Sequence, residues 1–136
     1  MDVITIAALH KAAFGHAGAH GWHEADFAKA MADPAFSLVA VESGYAVARR
    51  VLDEAELVLI ATTPMARRKG VATGLLARLE SDLIDKGVIR IMLEVVATNT
   101  AAIDFYLRQG FQQSGRRNGY YGPGHDALLF EKSLKT

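Results

Sequence analysis

Apolar side chains recur along this chain at two periods, and the switches between them mark out its elements. Val3, Ile6, Ala7, Leu9, Ala13 and Phe14 stand near helical spacing until Gly15, Gly18 and Gly21 break the pattern. A second short helix is predicted from near His23 through Phe27 and Met31. Asp33-Pro34 ends it, because the residue before a proline is pushed out of helical backbone. Phe36–Val41 and Tyr45–Leu52 read as strands around a Glu42-Ser43-Gly44 turn, and a further strand over Glu56–Thr62 follows the turn at Asp53-Glu54. Helical spacing returns at Val71, Leu75, Leu76, Leu79, Leu83 and Ile84, until Gly87 stops it. Val88–Val96 is a nearly continuous apolar run, which predicts a strand covered on both faces. Asn99–Gln109 reads as a helix ended by Gly110, and Phe111–Arg117 and Ala127–Leu134 as a last pair of strands.

The order is helix, helix, three strands, helix, strand, helix, strand, strand, an α/β arrangement. Strand 56–62, helix 70–86 and strand 88–96 form a βαβ unit, right-handed by rule, so those two strands are predicted parallel. The early and late pairs are predicted antiparallel, which makes the sheet mixed. A length of 136 residues argues for a single domain over 1–136, and 51% hydrophobic against 22% charged residues gives it enough apolar surface for a core. The formal net charge is zero, which speaks against a bulk attraction to nucleic acid or to an anionic membrane. There is no cysteine, hence no disulfide framework, no thiolate zinc site and no thiol nucleophile. No apolar run is long enough to span a bilayer, and no basic leader precedes one, so the cytoplasm is the expected compartment.

Three features carry candidate chemistry. Arg67, Arg68 and Lys69 precede Gly70, Val71, Ala72, Thr73 and Gly74 at the start of the 70–86 helix. N–H groups at a helix start lack intrahelical acceptors, the helix dipole favours negative charge there, and small residues admit an anion to the backbone. The stretch is either a phosphate-holding loop or a solvated basic turn. It is neither a Walker loop nor a G-x-G-x-x-G fingerprint. Glu94 stands within Ile91-Met92-Leu93-Glu94-Val95-Val96. A carboxylate among such neighbours is a base with a raised pKa at a cleft, or it faces solvent at a strand end, or it pairs with an arginine such as Arg90 or Arg116. Tyr106 follows the cap candidate Asn99 by seven residues, near the same helix face. It is either a proton donor to a leaving group or a half-buried aromatic.

Taken together these features resemble a known family. Arg67-x-x-Gly70-x-Ala72 after a strand, Leu93-Glu94-Val95 on the next, and Asn99-x-x-Ala102-x-x-Phe105-Tyr106-x-x-x-Gly110-Phe111 follow in fixed order. The chain resembles the GNAT superfamily of acetyl-CoA-dependent N-acetyltransferases. Arg116-Arg117-Asn118-Gly119-Tyr120-Tyr121, followed by Asp126-Ala127-Leu128-Leu129, is similar to its RimI-like branch, which acetylates the N-terminal amine of a ribosomal protein. The resemblance covers residues 56–132, with a weaker trace from Trp22 to Phe27.

The resemblance implies a GNAT fold, one layer of mixed, mostly antiparallel strands with helices on both faces. It implies acetyl-CoA as co-substrate and direct attack of a primary amine on its thioester. Backbone groups of Ile60, Ala61 and Thr62 would pair with the pantetheine arm, residues Arg67 to Thr73 would hold the pyrophosphate, and Asn99 would touch the arm. Glu94 would be general base and Tyr106 general acid. Trp22, Tyr120 and Tyr121 would border the acceptor groove. Two positions depart from the branch: Val96 stands where an arginine is frequent, and Gly119 separates Asn118 from the paired tyrosines.

An α-amine has a pKa of about 7.7–8.0 and a lysine about 10.4, so a modest carboxylate base suits the former better. The resemblance to the RimI-like branch implies a protein N-terminus as acceptor, with a small-molecule amine as the rival and a non-catalytic coenzyme-A-binding module as the rival of another class. His16, His20 and His23, beside Glu24, are read as polar surface and not as a metal set.

Overall fold

The computed structural model describes residues 24–63 and 70–134. The helix expected over 3–14, Trp22, His16, His20, His23 and the basic triplet Arg67–Lys69 lie outside the described residues. Helix α1 (Glu24–Ala32) leads into strands β1 (Phe36–Val41), β2 (Gly44–Val51) and β3 (Glu54–Thr62). Helix α2 (Val71–Asp85), strand β4 (Arg90–Val96), helix α3 (Thr100–Arg108) and strands β5 (Gln112–Arg117) and β6 (Ala127–Ser133) complete the described chain. The strands form one sheet in the order β1-β2-β3-β4-β6-β5, in which only β3 and β4 run parallel. The mixed, mostly antiparallel sheet of the sequence reading is thus present.

The sheet is buried from both sides by different helices. Leu75, Leu76, Leu79 and Leu83 of α2 form one apolar stripe and pack with Ala46, Ala48, Ala55, Leu57, Ile91, Leu93 and Val95. Ala102, Ile103, Phe105 and Tyr106 of α3 join the same cluster. On the opposite face Phe27 of α1 meets the Tyr45 ring edge-on, with centroids 5.6 Å apart, in a smaller cluster with Val47 and Ala61. Gly87 at φ 85° turns the chain out of α2, as its position in the sequence implied.

Strand β4 differs from its prediction. It begins at Arg90, and its side chains alternate: Ile91, Leu93 and Val95 are buried, whereas Met92, Glu94 and Val96 are half-buried. The apolar run is therefore covered fully on the α2–α3 face alone. The parallel pairing with β3 is also short, stopping after Glu54–Arg90, Ala55–Ile91 and Glu56–Met92. The cause lies in β3. Val47 pairs with Leu59 and Ala48 with Leu57, so Val58 is an extra, unpaired residue. Such a bulge bends its strand and adds twist. From Leu57 onwards, residues 57–62 have no strand partner on the β4 side among the described residues, while residues 93–96 pair there with β6 alone. A cleft opens between two central strands.

Candidate active site

Three walls meet around that cleft. The first is the C-terminal half of β3, where Ile60, Ala61 and Thr62 pair with Ala46, Tyr45 and Gly44 on one side and have no strand partner on the other among the described residues. The backbones are close here: a Cβ on Gly44 would lie 2.7 Å from the Ala61 carbonyl oxygen and 3.1 Å from Thr62 Cγ2.

The second wall is the start of α2. Gly70 takes φ 81°, a left-handed conformation that suits glycine, and no side chain caps the helix. The first turn carries no acidic residue. The first helical bond runs from the Gly74 N–H to the Gly70 carbonyl at 3.0 Å, so the N–H groups of Val71, Ala72 and Thr73 have no intrahelical acceptor. Among the described residues, a Cβ on Gly70 or Gly74 would meet nothing within 4 Å. Helix α3 contrasts with it, for Asn99 caps that helix by accepting the Ala102 N–H at 3.2 Å on Oδ1. That oxygen is committed, which leaves the Asn99 amide nitrogen for other partners. The Gln109 amide donates to Thr73 Oγ1 at 3.2 Å and ties the end of α3 to the first turn of α2.

The third wall brings the ionisable side chains. Tyr106 is 9% exposed, edge-on to Phe105 and Phe111 with centroids 5.5 and 5.6 Å away. Its hydroxyl has no hydrogen-bond partner among the described residues, and burial pushes its pKa up to about 12. A phenol in that state is a proton donor at neutral pH and cannot act as a base. Glu94 projects from the other face of β4, half-buried, with Arg117 Nη2 3.5 Å from Oε1.

The loop after β5 closes this side. Tyr120 and Tyr121, both half-exposed, stand edge-on with centroids 5.1 Å apart, and the Arg117 guanidinium lies 5.2 Å from the Tyr120 ring centre. Burial, and after it the negative charge of Glu94, holds the Tyr121 hydroxyl above the usual phenol range. Asp126 pins the loop: Oδ1 accepts the Gly119 N–H at 2.7 Å, and Oδ2 accepts Arg116 Nε at 2.9 Å. Those bonds, the glycine's first, hold the Asp126 carboxyl below the usual range. Gly119, the extra residue before the tyrosines, has φ 63° and donates the N–H that anchors the turn.

The partner of Glu94 corrects the sequence reading, which named Arg90 or Arg116. Arg90 pairs with Glu54 and Glu131, and Arg116 with Asp126. Asp126 and Arg117 were both missed as site residues. The signal for Arg117 was the Ser114-Gly115 dipeptide inside a strand, which is a bulge signature.

A family model described as Acetyltransferase (GNAT) family matches residues 4–111. The chain belongs to the GNAT acetyltransferases. Within that family it is 40% identical over 90 residues to a ribosomal protein bS18-alanine N-acetyltransferase of Salmonella typhimurium, covering 64% of this chain and 61% of that protein. The enzyme of the same name from Escherichia coli K12 is 36% identical over 109 residues, 77% of this chain and 74% of that protein. The crystal structure of the Escherichia coli ribosomal-protein-S18-alanine N-acetyltransferase superposes with a TM-score of 0.82 at 27% identity, covering 98% of this chain and 88% of that one. An aminoglycoside 6'-N-acetyltransferase in complex with coenzyme A shares the GNAT fold, with a TM-score of 0.82 at 16% identity, covering 98% of this chain and 91% of that one. GNAT acetyltransferases use acetyl-CoA as acetyl donor, and two features suit such a ligand: a β3 edge unpaired among the described residues and a helix start whose first N–H groups have no intrahelical acceptor.

Proposed function

We propose that this chain transfers the acetyl group of acetyl-CoA to the N-terminal α-amine of a protein, with a ribosomal protein as the acceptor class. The observation that carries the acceptor is the 36% identity, over 109 residues, to an enzyme named for acetylating the alanine of ribosomal protein bS18. The divergence of β3 from β4, Glu94 on β4 and the protonated Tyr106 on α3 support this reading of the transfer itself.

In this reading acetyl-CoA supplies a thioester carbonyl that an unprotonated amine can attack. Free edge groups of Ile60, Ala61 and Thr62 hold the pantetheine arm as an added strand. The N–H groups of Gly70, Val71, Ala72 and Thr73 hold the pyrophosphate, with Arg67, Arg68 and Lys69 supplying charge. The Asn99 amide nitrogen touches the arm. Glu94 takes the first proton of the incoming ammonium, directly or through water; as the new C–N bond forms and the C–S bond breaks, the Tyr106 hydroxyl gives its proton to the leaving sulfur and recovers one from the amide nitrogen. Trp22, Tyr120 and Tyr121 border the acceptor groove. Orientation dominates the acceleration, since well-placed reactants lower a barrier by about 7–11 kcal/mol.

A second reading is a small-molecule amine acceptor. Val96 favours it, standing where the resemblance to the RimI-like branch leads one to expect an arginine. Thiol release from acetyl-CoA across an acceptor panel separates the two. Peptides with free N-terminal alanine or serine are expected to turn over, and the same peptides blocked at the N-terminus are not. Turnover with polyamines alone replaces the acceptor. Saturable acetyl-CoA binding without turnover on any acceptor leaves a binding module.

A further inference from the structure

Strand β5 carries two adjacent arginines, and the structure sends them to opposite faces of the sheet. Gln113 pairs with Phe130 and Gly115 with Leu129, so Ser114 is an extra residue without a partner. A single inserted residue reverses the side to which every later side chain points. In regular pairing from Gln113 onwards, Arg116 would oppose Ala127. With the bulge, Arg116 opposes Leu128 and Arg117 opposes Ala127. Ala127 in turn pairs with Val96, and Leu129 with Glu94, so Arg117 stands on the Glu94 face of the sheet and Arg116 on the other. The side chains agree: Arg117 Nη2 is 3.5 Å from Glu94 Oε1, while Arg116 bonds Asp126.

We propose that Arg117 is a positioning residue for Glu94, aimed by the Ser114 bulge, and that it also braces the acceptor wall through Tyr120. The inference rests on the reading of Glu94 as general base. A carboxylate on a half-open strand face has several rotamers, and a guanidinium planted beside it selects among them. The second contact of Arg117, over the Tyr120 ring at 5.2 Å, fixes the guanidinium from behind. Side chains of Glu94 and Arg117 are 27% and 52% exposed, so the pair contributes little to stability, and its consequence falls on turnover.

A double-mutant cycle tests this, using the acceptor that turns over in the panel above. Wild type, Glu94→Gln, Arg117→Gln and the double variant are compared in kcat and in acceptor and acetyl-CoA KM, with Arg117→Lys as the conservative replacement. Arg117→Gln is expected to lower kcat about tenfold, the scale on which neighbouring groups couple, with acetyl-CoA KM and Tm unchanged. Arg117→Lys recovers most of the loss. In the Glu94→Gln background, Arg117→Gln adds nothing further. A crippled Glu94→Gln in which Arg117→Gln costs as much again overturns the positioning role alone. So does an Arg117→Gln enzyme with unchanged kcat, or one whose acetyl-CoA KM rises in step with its loss. Full turnover by Glu94→Gln removes the general-base reading and this inference with it.

Discussion

Tyr106 joins a structural observation to a chemical role through one atom. Its hydroxyl is buried, unbonded among the described residues and held protonated by burial, with a pKa of about 12. Tyr106→Phe removes a hydroxyl without a partner among the described residues, so Tm is expected to stay level or rise, while kcat falls by about 10²-fold or less. Differential scanning fluorimetry beside steady-state kinetics checks both. The sign of the pH effect follows from the raised value. The free phenol ionises near about 10. Between about 10 and 12 the unfolded chain has lost this proton and the folded one has kept it. Stability from this group is complete below about 10 and is lost as pH rises through about 12, so the phenylalanine variant should show a shallower alkaline decline in urea midpoint. In the catalytic profile, any alkaline limb below about pH 10 should survive Tyr106→Phe, because that group does not titrate there.

At the scale of elements, side-chain periodicity announced nearly every helix and strand described. Leu75, Leu76, Leu79 and Leu83 repeat every three or four residues, and they are the buried stripe of α2. What stayed hidden was the pairing. Strand β6 returns between β4 and β5, although the composition held a hint: β5 is Gln-Gln-Ser-Gly-Arg-Arg, a polar edge, whereas β6 buries Ala127, Leu128 and Phe130. Bulges are harder still. Val58 is an ordinary β-branched residue, and nothing local says that it lacks a partner, yet it ends the β3–β4 ladder. The bulge at Ser114 is equally hidden, although it decides that Arg117 and not Arg116 reaches Glu94. Close packing at the β2 start gives a test at this scale. Gly44→Ala puts a methyl against the Ala61 carbonyl, so the end of β3 must move. We expect a loss of about 1–3 kcal/mol in urea unfolding, the usual cost of overpacking, and a higher acetyl-CoA KM with acceptor KM unchanged.

For the whole molecule, α2 is the keel. Its leucines reach under the strands of both cleft walls, and Glu80 receives Lys132 Nζ of β6 at 2.9 Å in a half-buried ion pair. Leu79 is 0% exposed at the centre of this arrangement. Leu79→Ala should cost about 2–5 kcal/mol, a large share of the 5–15 kcal/mol available to a domain of this kind. Chemical denaturation monitored by circular dichroism reads it directly, and a loss below about 1 kcal/mol would show that the larger cluster does not bear on stability as drawn.

The gap beyond Val58 has a further consequence, one of solubility. Edge strands are normally kept at the rim of a sheet and blunted there, because a row of free backbone donors and acceptors invites pairing with another molecule. This protein places two such rows in the middle, along residues 57–62 and 93–96. Under the proposed function, acetyl-CoA bound in this cleft would also act as a plug. Light scattering during gentle heating should show ligand-free protein self-associating at a lower temperature than protein saturated with acetyl-CoA, by more than the difference in unfolding midpoint alone predicts.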